Sequence, residues 1–371
     1  MNRNLLRILS ATILAVGFLL GAFAQSAWAA VPKVMTVPVP STGGPMAAKV
    51  DAQGRIHLVY ETPKGPFYTR FEDDNCNMTF APLPLVVPGE GEVFPSGLEF
   101  ITWDVAVATD GAVHVALGNN AWKLKLPHEQ WGYFYTRMLP GEKSFSPLRN
   151  INHKPSEGFS LAMNDKGLVT AVWMADKLYA NVSEDGGKTF AATVEIDPVL
   201  NPCNCCTTSS TYGADGRLAI LYREETNDER DMYLALWDQA NNQVTKTRIS
   251  TTPWKMDSCP MTYYSVVPSG EGYLAAWPTK GEIYFAKLGA NGIPIAPKEI
   301  KTRGASGMRS GILPIGTIDG QTLVVWRKEN QLGWQLFDRS GRPSGLPDSV
   351  KSDGKGVAGV VAKDGTILLF K

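Results

Sequence analysis

Seven times along this chain, a turn rich in Asp, Asn or Gly leads into an apolar run that ends in a large side chain. DAQGRIHLVYE carries Tyr60, TDGAVHVAL ends at Leu117, NDKGLVTAVW at Trp173, and ADGRLAILYR carries Tyr222. SGEGYLAAW ends at Trp277, IDGQTLVVW at Trp326, and KDGTILLFK carries Phe370. These end residues recur at intervals of 44 to 57 positions. Before each turn lies another β-rich run, for example PMAAKV, WDVAVA or FSLAM. The unit is a hairpin whose tight turn uses the positive φ open to glycine. A third run follows in six of the seven units: PFYTRF, GYFYTRM, KLYANV, DMYLALW, EIYFAKL and LGWQLF. Most units then pass through a polar turn to a more variable fourth run, such as ATVEID or KTRIST.

Repeats of about four strands and 40–55 residues are the mark of β-propeller blades. Each blade alone exposes an apolar face, and stacking around an axis buries it. The prediction is therefore an all-β chain, a β-propeller of six or seven four-stranded blades. Seven is favoured, because the last unit, KGVAGVVAKDGTILLFK, stops after two strands while the N-terminal VPKVMTVPVP is strand-like. The last blade would then be closed by both termini. Six blades with an appended hairpin is the alternative. No long stretch carries apolar residues at helical spacing, and Gly 36, Pro 25, Trp 10 and Tyr 12 suit a turn-rich aromatic β-protein.

Residues 1–29 read differently: MNRNLLR is basic, ILSATILAVGFLLGAFA is apolar, and QSAWA places Ala27 and Ala29 at the −3 and −1 positions. This is the layout of a secretory signal peptide, cleaved after Ala29. Its apolar stretch is shorter than the roughly 20 residues that span a bilayer, and no later segment approaches a span. The expected domain organisation is a signal peptide at 1–29 and one propeller domain at 30–371, periplasmic or secreted. The whole chain has 36 basic and 36 acidic residues; without Arg3 and Arg7 the balance is 34 to 36. That balance carries no electrostatic footprint for nucleic acid.

After the third run of unit three comes NVSEDGGKTFAATVEI. Ser183, Asp185, Gly186, Gly187, Thr189 and Phe190 resemble the Asp-box, S-x-D-G-G-x-T-[WF], of sialidases and related bacterial neuraminidase-repeat (BNR) propellers. Side-chain caps on backbone groups and glycines at unusual φ explain such a motif structurally, with the aromatic packed beneath. Degenerate echoes stand at the same place in EDDNCNMTF (Thr79, Phe80) and PGEKSF (Ser144, Phe145). A second resemblance covers residues 200–330: CNCCTT, then Tyr222, Arg223, Arg230 and Asp231, then Cys259 before Pro260. It is similar to a group of exported sialidase-like propellers often labelled exo-α-sialidase by similarity. What this implies is group membership, with no reaction attached.

Cys203, Cys205 and Cys206 precede the first strand of unit four, and Cys259 precedes that of unit five. Corresponding segments of neighbouring blades lie side by side, so the four cysteines are expected to meet on one face. Three chemistries remain open. Export favours disulfides, with Cys206–Cys259 or Cys205–Cys259 as an inter-blade staple. Clustered thiolates also suit a soft metal, copper or zinc. An adjacent Cys205–Cys206 bridge would be strained and redox-active. Cys76 stands apart as a leftover thiol.

If the chain is a sialidase, three arginines grip a substrate carboxylate, because a planar guanidinium binds it in a bidentate way. Arg223, Arg230 and Arg309 are the candidates, with Tyr264 or Tyr263 as nucleophile. The departures weigh against it: PMAAKV stands where the family carries an Arg-Ile-Pro motif, and no Asp can be assigned as acid/base. His57 and His114, at one repeat position, are read as side chains in the stacked strands. The sequence thus points to a non-catalytic module binding a glycan, small ligand or exported protein. A sialidase-type glycoside hydrolase and a periplasmic metal or redox protein are the alternatives.

Overall fold

The computed structural model describes residues 31–40, 43–72, 80–354 and 356–371. The expected signal peptide and Cys76 lie outside these residues. Six antiparallel sheets of four strands follow one another along the chain, and a seventh sheet has three. In blades one to six the first strands are Gly44–Val50, Phe100–Val107, Glu157–Met163, Thr208–Tyr212, Ser265–Ser269 and Ile312–Gly316. In blade seven the first strand is Ala358–Val361. Each first strand touches the first strands of both neighbouring sheets, and that of blade seven touches that of blade one. This closes the ring: a seven-bladed β-propeller, with the first strands lining the axis. Residues Pro32–Lys371 fall into one compact unit.

The seventh blade joins both ends of the chain, as the strand-like N-terminal run predicts. Val34–Val37 pairs with Ile367–Phe370 in parallel, Val34 opposite Ile367 and Val37 opposite Phe370. The geometry explains the direction. In an ordinary blade the fourth strand is antiparallel to the third and so runs with the second. Among the described residues blade seven has no third strand, and the N-terminal strand pairs directly with the second. The expected four strands are therefore three, among the described residues.

The second strands carry the apolar runs that mark the repeat. They include Ile56–Thr62, Val113–Asn119, Val169–Met174, Leu218–Arg223, Gly272–Thr279 and Thr322–Lys328. Their terminal aromatics Tyr60, Trp173, Tyr222, Trp277 and Phe370 are no more than 1% exposed. Each side chain of this size contributes roughly 2–3 kcal/mol when removed from water, and the contributions fall between sheets. Phe71 stacks on Phe370 at 6.2 Å between blades one and seven, and Phe285 meets Phe337 at 4.7 Å between five and six. The first hairpin turn closes at Gly54, whose φ of +82° favours glycine.

His57 and His114 are buried at equivalent places. His57 Nδ1 shares a hydrogen bond with Tyr68 at 2.8 Å, and His114 Nδ1 with Tyr135 at 2.6 Å. Both are fixtures between strands.

The SEDGGKTF turn links the strand Leu178–Ser183 to Val194–Glu195. The Ser183 hydroxyl donates to Asp185 at 2.8 Å and accepts from the Gly187 N–H at 2.8 Å. Thr189 donates to Asp185 through its N–H and hydroxyl, at 2.8 and 2.6 Å. Those bonds, the hydroxyl's foremost, hold the Asp185 carboxyl well below the usual carboxylate range. Phe190 lies edge-on to Tyr135 of blade two at 4.9 Å, and Arg149 donates to the Gly187 and Lys188 carbonyls at 2.7 Å each. The turn is a brace between blades two and three.

Candidate functional site

One face of the ring gathers the segments that lead into the first strands, together with the ends of the second strands. Blade four contributes the turn Cys203–Cys206, closed by the Cys206 N–H on the Cys203 carbonyl at 3.0 Å. Blade five contributes the coil that carries Cys259. Cys205 and Cys259, 54 residues apart in sequence, form a disulfide with Cα atoms 6.4 Å apart. Cys203 and Cys206 are free and buried. The Cys206 thiol donates to Cys203 Sγ at 3.0 Å, and Cys203 Sγ lies 3.7 Å from Cys205 Sγ. All four sulfurs fall within 4.8 Å of one another. The expected meeting of the cysteines is met, through the Cys205–Cys259 pairing.

Arg230 Nη1 donates to Cys203 Sγ at 3.2 Å, and Arg230 Nε donates to the Met256 carbonyl at 3.2 Å. The Cys206 thiol bond and the Arg230 charge outweigh burial and bring Cys203 down to about 6. The same shared proton, with burial, pushes Cys206 well up. The pair therefore loses its first proton from Cys203.

Arg223 ends the second strand of blade four and is fully buried. Its guanidinium donates to the Arg230 and Pro278 carbonyls and lies over the Trp254 ring at 4.7 Å. Nε of Arg223 is buried with no hydrogen-bond partner among the described residues. Its backbone N–H donates to the Tyr264 hydroxyl at 3.0 Å, and that hydroxyl donates to the Thr207 carbonyl. Burial raises the Tyr264 phenol well above its ordinary value. Arg327 stands at the matching place in blade six. It too is buried, with Nε on the Gly356 carbonyl and Nη1 on the Ser352 carbonyl, both at 2.8 Å.

Arg309 is the exposed member of the arginine trio, at φ +54° with its N–H on the Met261 carbonyl at 2.8 Å. Arg230 bonds Cys203 and the Arg223 charge is felt by Cys203 and Cys206, whereas the Arg309 charge acts on Glu157 and Tyr263. Near Arg309 is a group that no sequence signal marks. Trp103 of blade two meets Tyr263, which leads into blade five, with ring centres 5.9 Å apart. Non-neighbouring blades touch only at the axis, so these rings lie there. Glu157, at the start of blade three, keeps solvent contact; partial loss of hydration raises its carboxyl, and the nearby Arg309 charge opposes the rise. Arg309 and Glu157 both act on the Tyr263 phenol, which burial raises. Trp103 lies in an ordinary-looking strand, and only ring closure brings it to Tyr263.

The class defined by these features is the seven-bladed β-propeller. No family model matches the sequence, and no curated protein matches it. Solved structures do share the architecture. A protein of unknown function from Dyadobacter fermentans is similar at TM-score 0.52 and 14% identity, over 86% of this chain and 96% of that one. An ulvan lyase, described as a new family of polysaccharide lyase, is similar at TM-score 0.52 and 13% identity, over 87% and 88%. A Lactobacillus plantarum protein is similar at TM-score 0.51 and 12% identity, over 85% and 86%. At these identities the likeness concerns the fold. Among the described residues, no helix is long and apolar enough to cross a membrane.

Proposed function

We propose that this chain is an exported, sialidase-like β-propeller, one domain after a signal peptide at 1–29, that works as a non-catalytic binding module. The observation that carries the reading is the axial group of Trp103, Tyr263, Glu157 and Arg309. An aromatic pair beside one exposed cation and one carboxylate is the chemistry of a sugar or carboxylate-bearing ligand. The ulvan lyase of similar fold, also solved bound to a GlcA(1-4)Rha3S unit, makes an acidic glycan the first ligand to try; an exported protein presenting a carboxylate is the other. A sialidase-type hydrolase is the weaker reading. Two of its three arginines, Arg223 and Arg230, are engaged with carbonyls and Cys203, and the Tyr264 hydroxyl is tied to Thr207.

Titration of the mature protein with acidic oligosaccharides, followed by calorimetry, tests this. Binding that falls at least tenfold in Trp103→Ala and in Arg309→Ala is the expected result. Binding untouched by both variants, or turnover of a sialoside reporter, would count against it.

A second reading is favoured by one specific observation, the four sulfurs within 4.8 Å. Thiolates so placed suit copper or zinc.

A further inference from the structure

Two buried thiols beside a disulfide are more than a staple needs. Blades four and five are already joined without it. Arg223 donates across the boundary to the Pro278 carbonyl, Tyr264 to the Thr207 carbonyl, and the Val266 N–H to Ser209 Oγ at 3.0 Å. The bridge instead removes two of four converged sulfurs from use. A tetrahedral thiolate site with bonds of about 2.3 Å places its sulfurs about 3.8 Å apart. The Cys203–Cys205 separation of 3.7 Å is already of that size.

The charge around the sulfurs points the same way. Four thiolates on a divalent cation carry net negative charge and need cations beside them. Arg230 donates to Cys203. Arg223, buried behind the cluster, has an unpartnered Nε and no carboxylate within ion-pair distance among the described residues. A buried guanidinium lacking a carboxylate partner is costly unless another anion stands near.

We propose that the Cys205–Cys259 bridge is a redox gate on a four-thiolate site for a thiophilic d10 cation, zinc(II) or copper(I). This rests on the metal reading of the cluster and adds the gate. Bridged, the site offers the two buried sulfurs of Cys203 and Cys206. Opening takes two electrons and two protons from an exported dithiol: its thiolate attacks the half-buried bridge, and its second thiol then closes the dithiol's own disulfide. Cys205 and Cys259 leave as thiols. The cation then displaces the remaining thiol protons to solvent and is held by Cys203, Cys205, Cys206 and Cys259, with Arg223 and Arg230 as counter-charges.

The test uses the mature, full-length protein in two preparations: bridged, and reduced with a phosphine that is then removed. Each is titrated anaerobically with zinc(II), and separately with copper(I), against a competing chelator, with native mass spectrometry as readout. Expected is one cation per reduced protein, held at least 100-fold more tightly than by the bridged form. Cys206→Ser keeps the bridge and should cut the affinity of the reduced form at least tenfold; circular dichroism checks its fold. Equal retention by both preparations overturns the gate while leaving a metal site. Failure of the reduced protein to retain either cation, with all four thiols alkylatable, overturns the metal reading beneath it. Full affinity in Cys206→Ser overturns the four-sulfur set.

Discussion

Arg223 and Arg327 occupy the same place in blades four and six, each at the end of a second strand and each buried with its guanidinium on backbone carbonyls. The match assigns Arg223 a structural post. Its donors reach the Pro278 carbonyl of blade five, as those of Arg327 reach the Gly356 carbonyl at the start of blade seven. A residue so committed has no free fork for a substrate carboxylate.

Removing either arginine should therefore unfold the protein more easily. Arg223→Ala leaves buried carbonyls without donors, a loss of about 3 kcal/mol. Urea denaturation of Arg223→Ala and Arg327→Ala should show comparable drops in midpoint. An Arg223→Ala protein as stable as the parent would contradict the structural assignment.

The bridge has a defined chemical signature. On unfolding without reductant, Cys203 and Cys206 should alkylate and Cys205 and Cys259 should not; peptide mapping tells them apart. Closing a loop of this length contributes roughly 4 kcal/mol on the chain-entropy account. Reduced protein should thus unfold at lower urea while staying folded in buffer.

Acid should weaken the fold through its buried histidines. Burial, helped by the Arg137 charge, brings His114 down to about 4, and burial lowers His57 against the pull of Asp51. His114 therefore stays neutral in the folded protein down to about pH 4, whereas the unfolded chain binds protons below about 6.5. This contribution is complete above pH 6.5 and is lost as pH falls toward 4. His114 alone accounts for up to about 3 kcal/mol of it. Unfolding free energy measured at several pH values should fall less steeply between 6.5 and 4 in His114→Gln; an unchanged slope would refute the assignment.

Gly187 permits a similar test away from the axis. Its φ is +78°, and a Cβ there would run into the Tyr135 hydroxyl. Gly187→Ala should destabilise the protein by about 2 kcal/mol. Because the turn joins the third and fourth strands of its blade, away from the first strands that line the axis, binding at the proposed axial site should not change.

Local sequence carried much of this fold. The apolar runs and the turn glycines determine each hairpin, since both act over a few neighbouring residues. Seven copies, with a short last unit and a strand-like N-terminus, were enough to predict a ring closed by both ends. The hydrogen bonds of Ser183, Asp185 and Thr189 were legible for the same reason, being made within seven positions. Tertiary structure alone decided the rest. Cys205 finds Cys259 across 54 residues only because blades four and five stack, and the sequence allowed Cys206 equally. Arg223, a candidate carboxylate clamp in the sequence, is instead enclosed by the Pro278 carbonyl and the Trp254 ring. Trp103 and Tyr263 meet because a closed ring brings distant blades to one axis, a distance that no periodicity in the chain encodes.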